Sequence, residues 1–281
     1  MAIRNLQFLV REYEGVTKLI AQTKQRILAL DIDMDAKHDF ILGGEGDSKG
    51  LNYVKDAIGR KIARELKLWP LWERWMAKVP GIGPAIGGKL VLMYYYRFTP
   101  ICQECGGIME EFTCTLCGKA AKGDGLLKHR IDMKDFTCIS SWWKYMGMHC
   151  AHDEKLDKFV KPKMRSGQKI DWNVKGRALG YLIGDQLMKQ MRDKATGDRQ
   201  PYRQFYDARR AKRNETHPDA KDGHKMNMAR NETAKLFLAH MWTVARTLDG
   251  LPVSEPYAGA IMGHTNIIAP FYFENVKEKA A

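Results

Sequence analysis

Residues 79–90 read V-P-G-I-G-P-A-I-G-G-K-L, a glycine turn between two helical stretches that follows the helix-hairpin-helix pattern. Gly81 and Gly83 permit backbone angles that a Cβ would forbid, and Pro84 suits the first turn of the second helix. Backbone N–H groups at such a helix start can bind a phosphate without reading sequence. Lys89, about one turn further on, can add a positive charge. The alternative is a plain pair of helices joined by glycines.

Four cysteines follow this turn with the spacing C-x2-C-x8-C-x2-C. They are Cys102, Cys105, Cys114 and Cys117, and a glycine follows each pair. Four thiolates satisfy tetrahedral Zn²⁺ with no open position, so the pattern predicts a structural zinc site in a small ribbon. An iron–sulfur site, a rubredoxin-like iron site and idle thiols remain as alternatives. The ribbon itself has three candidate roles: contact with nucleic acid, contact with protein, or stabilisation of an insertion between helices.

The segment before the turn predicts two long helices. Apolar residues recur at heptad spacing over residues 4–30, which is typical of an amphipathic helix that pairs with another copy or with the chain's own second helix. The second helix is expected over residues 51–76, with Pro70 interrupting it. The acidic stretch between them, residues 29–40, resembles the first strand of a ribonuclease-H-like nuclease. An acidic turn is the better interpretation, because only 40 residues separate Phe40 from Pro80 and they read as helix.

Positive charge is concentrated in the second half of the chain. The chain has 46 Lys and Arg against 33 Asp and Glu, and residues 155–246 alone contain 22 against 10. A concentrated basic region is expected to bind a polyanion, although a solvated basic surface gives the same count. On a helix over residues 202–213, three arginines share one face: Arg203, Arg210 and Arg213. The aromatic residues among them are expected in the core, and a closing helix is expected over residues 226–248.

The hydropathy and the cysteine usage of the chain bear on its cellular compartment. No stretch approaches the roughly 18 apolar residues of a membrane span. Two cysteines, Cys138 and Cys150, lie outside the metal pattern, and a reducing cytoplasm fits this usage better than a disulfide scaffold. His149 and His152 flank Cys150 without a standard ligand spacing, so they are expected as ordinary core or surface residues.

Four segments from Pro80 onward occur in an order that resembles a known family. They are P-G-I-G-P at 80–84, D-F-T-C-I-S-S-W-W-K-Y-M-G-M at 135–148, R-S-G-Q-K at 165–169 with K-G-R-A-L at 175–179, and P-Y-R-Q-F-Y at 201–206. Together they are similar to the C-terminal transposase domain of the pilin-invertase-like, bridge-RNA-guided insertion-sequence recombinases. The likeness covers about 150 residues, and the zinc ribbon is an addition to it.

The resemblance implies a role for one serine. In that family the serine of the Ser-Gly step joins covalently to DNA, and Ser166 occupies that position. A serine can attack a phosphodiester where cations neutralise the developing charge. Nearby sequence offers Lys161, Lys163, Arg165, Lys169, Lys175 and Arg177. The alternative is a serine that binds phosphate. The family's N-terminal ribonuclease-H-like domain has no counterpart here, and Gly180 replaces the arginine expected after Leu179.

These observations predict a mainly α protein: a helical domain with a helix-hairpin-helix and an inserted small four-cysteine zinc ribbon. The expected regions are 1–78 helical hairpin, 79–99 helix-hairpin-helix, 100–130 ribbon, 131–250 basic transposase-like domain and 251–281 apolar tail. The predicted function is binding of nucleic acid, DNA favoured over RNA, by a chain derived from a transposase. Two alternatives stay open: a serine recombinase acting with a partner or guide RNA, and a zinc-ribbon adaptor. Self-association or a protein partner is expected through the N-terminal helices.

Overall fold

The computed structural model is mainly helical, as predicted, with a few two- and three-residue strands. Its division into compact units places residues 1–73 and 83–131 in unit 1, and residues 74–82 and 132–281 in unit 2. The residues that the structure describes are 2–29, 41–43, 50–95, 101–102, 105, 109–110, 113–119, 127–128, 136–153, 157–164, 166–167, 170–193, 197–253 and 268–271. The predicted acidic turn over 30–40 and most of the predicted tail lie outside them. Within them, no helix has the length and apolar character needed to span a bilayer.

Four helices have both ends within the described residues of the chain and belong to unit 1. They are α1 (Ala2–Ala29), α2 (Leu51–Leu66), α3 (Pro70–Arg74) and α4 (Pro84–Tyr95). The heptad pattern lies on the inner face of α1: its members Leu6, Ile20 and Ile27 are buried, and its other described members are half-buried. This face packs within the chain, because α1 lies against both α2 and α4. The predicted second helix is interrupted where expected, since α2 ends at Leu66 and a new short helix begins at Pro70.

Two adjacent glycines let α4 approach its neighbours closely. A Cβ at Gly87 would lie 2.3 Å from the Trp72 ring, and one at Gly88 would lie 2.9 Å from a Val10 methyl. Both distances are too short for real atoms, so any side chain there would push α4 away from α1 or from Trp72. The sequence G-G in this helix therefore fixes the packing of unit 1.

Short antiparallel pairs form the ribbon region of unit 1. Strand β1 (Ile101–Cys102) pairs with β4 (Leu127–Lys128), and β2 (Met109–Glu110) pairs with β3 (Thr113–Cys114). The β2–β3 register pairs Met109 with Cys114. Each of these pairings is only two residues long, and in small elements of this kind a bound metal can supply folding energy.

Unit 2 contains helices α5 to α8 and one short antiparallel strand pair. After a 3-10 turn at Met76–Lys78 come α5 (Ile139–Tyr145), the antiparallel pair β5 (Ala151–Asp153) and β6 (Lys158–Val160), α6 (Val174–Met188), α7 (Pro201–Thr216) and α8 (Asp222–Leu248). Helix α8 contacts α5, α6 and α7, and it is the central element of the unit. It begins four residues earlier than predicted, so only residues 217–221 separate α7 from α8.

Aromatic side chains fill the core of unit 2 around α8. Trp75 stacks on Phe237 with 5.1 Å between ring centroids, and Tyr202 meets the same ring edge-on at 5.8 Å. The Tyr202 hydroxyl lies 2.7 Å from His240 Nδ1, and burial lowers the pKa of His240 to about 4. Tyr202 and Tyr206 are buried, as their helical spacing predicted.

Glycines at every fourth position let α6 pack closely in unit 2. Cβ atoms at Gly176 and Gly180 would lie 3.0 and 2.9 Å from the sulfur atoms of Met146 and Met148. A Cβ at Gly184 would lie 2.6 Å from Arg230 Cγ and 2.7 Å from the Arg230 carbonyl oxygen of α8. Because that last contact is with backbone, α6 and α8 can cross this closely only if residue 184 has no side chain.

Candidate nucleic-acid interface and metal centre

Three of the four predicted metal ligands come together in the ribbon. The Sγ atoms of Cys105, Cys114 and Cys117 all lie within 4.8 Å of one another, and Cys105 Sγ is 3.4 Å from Cys114 Sγ. Tetrahedral Zn²⁺ with Zn–S bonds of about 2.3 Å separates its sulfur ligands by about 3.8 Å, so these positions suit a shared metal ion. Cys102 lies in β1, but its side chain is outside the described residues. The three cysteines could therefore hold a metal ion.

Cys114 is prepared electrostatically for metal binding. The backbone N–H of Cys117 is the main cause that lowers the pKa of the Cys114 thiol to about 6, and the Leu116 N–H and the two neighbouring thiols add to it. Only a thiolate binds the metal, so at neutral pH this ligand needs no further deprotonation. Gly118, at φ +67, allows the turn that follows the second cysteine pair.

The glycine turn needs the special backbone freedom of glycine at Gly81 but not at Gly83, which has neither a positive φ nor an atom close to the position of a Cβ. Gly81, in unit 2, has φ +88, a value that L side chains rarely adopt, and both Gly81 and Gly83 are exposed. In unit 1, the first N–H groups of α4 to find an acceptor are those of Ile86 and Gly87, which donate to the Gly83 carbonyl at 3.1 and 2.9 Å. Among the described residues, the N–H groups of Gly83 and Ala85 have no acceptor.

Lys89 does not face an open phosphate site. Its ammonium group forms an ion pair with Glu14 of α1 at 3.0 Å, and only 24% of its side chain is exposed. An ion pair of this kind already satisfies much of the lysine charge. Lys89 therefore joins two helices of unit 1, and its predicted phosphate contact would have to compete with Glu14.

The three arginines predicted to share a face of α7 form the α7 arginine face: Arg203, Arg210 and Arg213. Each is paired with an acid of the same unit. Arg203 Nε donates to Asp207 at 3.0 Å, Arg210 is hydrogen-bonded to Asp222, and Arg213 Nε donates to Glu232 at 2.9 Å. Glu232 also pairs with Arg209 at 3.3 Å. The pairs with Asp222 and Glu232 connect α7 to α8, the Arg203–Asp207 pair lies within α7, and together they neutralise much of the positive charge of this segment.

A second group of cations lies between α6, α8 and the residues after β6. We call Lys161, Arg177, Arg230 and Lys235 the cationic cluster. Lys161 Nζ donates to the Asn231 side chain at 3.3 Å, and an Arg177 guanidinium N–H donates to the Pro162 carbonyl at 2.6 Å. Arg230 donates to the Asn227 side chain at 2.6 Å, and the Lys235 ammonium group lies 4.2 Å from the Trp143 ring centre. All these partners are uncharged.

The pKa shifts of the two cluster lysines have burial as their main cause. Burial lowers the pKa of Lys161 to about 8, and Arg177, Arg230 and Lys235 lower it further, while Cys150 opposes this. Burial likewise lowers the pKa of Lys235, and Cys150 and Glu232 oppose this. Arg230 is only 3% exposed, and its Nε has no hydrogen-bond partner among the described residues. In the described part of the chain, no ion pair connects the four cations to a carboxylate.

The remaining predicted contact residues lie around α6. Lys163 is exposed three residues after β6, and Lys175 is exposed in the first turn of α6, whose N-cap Asn173 accepts from the Gly176 N–H at 3.1 Å. Ser166 is exposed, and Gly167 follows it at φ +76. Arg165 and Lys169 lie outside the described residues.

The His149–Cys150–His152 segment behaves as an ordinary surface and core segment. His152 Nε2 lies 3.2 Å from Asp157, and the His149 ring packs edge-on against Trp172. Burial lowers the pKa of His149, although Asp171 opposes this. Cys138 and Cys150 are exposed. The described side chains place only the ribbon cysteines in a group of three metal-ligating atoms.

Sequence reasoning identified Lys161 and Arg177 but missed Arg230 and Lys235 as members of one cluster. They are more than fifty residues further along the chain, in a helix that reads as buried core. Gly184 was the one available signal in the sequence. A glycine within a helix can mark a close crossing with another helix, but it does not identify which helix that is. Comparison with protein-family models, with curated proteins and with solved structures finds no match to this chain.

Proposed function

We propose that the chain is a nucleic-acid-binding protein, with DNA favoured over RNA, that holds backbone phosphates in the cationic cluster of unit 2. One observation carries the proposal: four buried or half-buried cations have hydrogen-bond and ring partners that are uncharged, and three of them act electrostatically on the fourth, Lys161. Burying charge without a counter-charge is costly, and a bound anion removes that cost. A phosphodiester chain supplies anions at regular spacing.

The distribution of charge over the whole chain supports the same ligand. The formal net charge of +13 attracts polyanions in general, and release of their counterions favours binding. The resemblance to the C-terminal transposase domain of the bridge-RNA-guided recombinases agrees with a DNA ligand. We therefore include in the proposal that the chain derives from such a domain and that the exposed amides of the glycine turn add a second contact to the backbone.

The test compares two double variants of the full chain that remove the same charge. Lys161→Gln with Lys235→Gln removes two cluster cations, and Lys212→Gln with Lys221→Gln removes two exposed lysines elsewhere in unit 2. Affinity for a fluorescent 20-base-pair DNA is measured between 50 and 200 mM salt. The cluster variant should lower the slope of log affinity against log salt by about 2, because each lost phosphate contact contributes about 0.9.

The control variant separates a site from a diffuse basic surface. It should leave affinity within about twofold and the slope nearly unchanged, because those lysines lie outside the cluster. Equal losses in both variants would mean that the basic surface acts as a whole. Wild-type protein that binds no nucleic acid at 50 mM salt would overturn the proposal itself.

The exposed Ser166 supports a second candidate, a serine-nucleophile recombinase. Its hydroxyl is exposed at a turn that Gly167 makes possible, five residues after Lys161. Attack on a phosphodiester would join Ser166 Oγ to phosphorus and expel the sugar hydroxyl of the cleaved strand. Denaturing gels of wild type and Ser166→Ala, with DNA, RNA and Mg²⁺, decide the matter. A covalent adduct present only with the serine supports this activity, and its absence in wild type excludes it.

We propose zinc as the ion of the ribbon, with Cys102 as fourth ligand and a structural role. Four thiolates are typical of closed zinc sites, and the spacing of the three described sulfur atoms suits them. Elemental analysis of the purified chain should give one zinc per molecule, reduced strongly in Cys114→Ser and unchanged in Cys138→Ser. Iron with a visible thiolate absorption band would contradict the assignment, as would equal metal in both variants.

A further inference from the structure

The cationic cluster has an exposed aromatic ring at its edge. The Arg230 guanidinium carbon lies 3.4 Å from the centre of the Tyr181 ring, so the guanidinium covers one face of the ring. Tyr181 nevertheless remains 54% exposed, which makes it one of the more exposed aromatic residues of the described chain. Because Arg230 occupies one face, the exposed surface belongs to the other face and the ring edge. A flat apolar partner can stack there.

The surface around Tyr181 is also apolar, although it borders four cations. Val174 is 45% exposed and Leu182 38% exposed on α6, and Ala178 is exposed between them. Val174, Ala178 and Tyr181 follow each other at helical spacing of four and three, so they lie on one face of the helix. An apolar strip beside a cationic cluster matches a ligand that has a charged edge and flat apolar groups.

Two further cations of the cluster are paired with aromatic rings. Arg177 lies 5.2 Å from the Trp172 ring centre, and Lys235 lies 4.2 Å from that of Trp143. Interleaved cations and aromatic rings are typical of surfaces that bind single-stranded nucleic acid, where phosphates meet the cations and unpaired bases stack on the rings. In a duplex the base faces are covered by their neighbours, so a stacking ring gains nothing.

We propose that the ligand of this site is single-stranded nucleic acid and that Tyr181, backed by Arg230, stacks on an unpaired base. The inference rests on the proposed function and specifies its ligand. The ring of Tyr181 provides preference for unpaired strands, while the cluster provides affinity for the backbone. The strand can be DNA or RNA, because both offer the same base faces and phosphates.

The experiment measures affinity of the full chain for three fluorescent probes at one salt concentration: dT20, U20 and a 20-base-pair DNA duplex. The variants are Tyr181→Ala, Tyr181→Phe and, as a matched control, Tyr53→Ala. Tyr53 is 48% exposed and lies below Arg60 at 5.8 Å, but it belongs to unit 1. Tyr181→Ala should weaken single-strand binding by about 5- to 100-fold, which is the range for loss of one stacked base.

The other arms decide between outcomes. Tyr181→Phe and Tyr53→Ala should bind like wild type, and duplex affinity should not depend on residue 181. Wild type that binds duplex as tightly as dT20, with no effect of Tyr181→Ala, overturns the inference and leaves the proposed function standing. Failure to bind any probe overturns both. If Tyr181→Ala alters only the molecular mass that light scattering gives, and no affinity, the inference is overturned and the apolar strip around Tyr181 is assigned to self-association. The ratio of dT20 to U20 affinity identifies the sugar.

Discussion

The α7 arginine face and the cationic cluster carry similar numbers of positive charges, yet they differ in what surrounds those charges. Every arginine of the face has an acid within hydrogen-bonding distance on α7 or α8. The cluster cations contact amides, carbonyl oxygens and rings. The same residue types therefore fasten helices in one region and leave an unsatisfied charge in the other.

This difference shows why a count of charge along the sequence is a poor guide to a binding site. A paired arginine must break its ion pair before it can hold a phosphate, whereas a cluster cation has no ion pair among the described residues to break. The α7 segment is the more basic of the two by sequence, and the cluster is assembled from residues on three separate segments. We therefore expect variants in the two regions to differ in what they damage: helix packing in the first, anion binding in the second.

The largest expected effect is on stability and comes from adding a side chain at Gly184, where α6 crosses α8 next to Arg230. Gly184→Ala would put a Cβ within 3 Å of the Arg230 backbone carbonyl, at the α6–α8 crossing. Overpacking of this kind costs about 1–3 kcal/mol, and contact with backbone favours the upper end. We expect the free energy of unfolding in urea to fall by about 3 kcal/mol, with loss of nucleic-acid affinity in the remaining folded protein.

A matched glycine tests whether the effect belongs to the crossing. Gly223, in the first turn of α8, has nothing within 4 Å of the position that an added methyl group would take, so Gly223→Ala should be neutral or stabilise by up to about 1 kcal/mol. Equal stability of the two variants would show that α6 and α8 do not depend on residue 184, and the account of how the cluster forms would fail.

The next largest effect is a pH dependence of nucleic-acid affinity, which follows from the pKa of Lys161 in the cationic cluster. Burial and the neighbouring cations lower that pKa to about 8 from 10.5. A bound phosphate favours the charged form, so above pH 8 binding must take up a proton, and affinity should fall about tenfold per pH unit. Measured between pH 7 and 9.5, this decline should vanish in Lys161→Gln. A wild-type affinity that is constant to pH 9.5 contradicts the predicted coupling.

The same pKa fixes the sign of a stability effect. Because Lys161 releases its proton more easily in the folded than in the unfolded chain, unfolding takes up a proton between pH 8 and 10.5. Stability from this group therefore rises with pH across that window, in the direction opposite to binding.

The local features of the fold could be predicted from sequence, whereas the cluster could not. The heptad positions of α1, the interruption at Pro70 and the turn at Gly81 follow from side-chain periodicity and backbone sterics. The cysteine spacing predicted a ribbon whose three described thiols do come together. Ion pairing between α7 and α8, in contrast, depends on which acids face which arginines across a helix pair. No spacing within one helix contains that information.

The smallest expected effect comes from a substitution in the α7 arginine face. Arg213→Gln removes the Nε–Glu232 hydrogen bond, but Glu232 keeps its pair with Arg209, and both side chains of the lost pair are about one quarter exposed. Partly exposed ion pairs contribute about 0–1 kcal/mol, so unfolding should change by less than about 1 kcal/mol. Nucleic-acid affinity at 100 mM salt should stay within about twofold of wild type, because the arginine was already neutralised. If Arg213→Gln instead weakens binding as much as Lys235→Gln does, the ion pair opens for the ligand, and paired arginines must be counted as part of the binding surface.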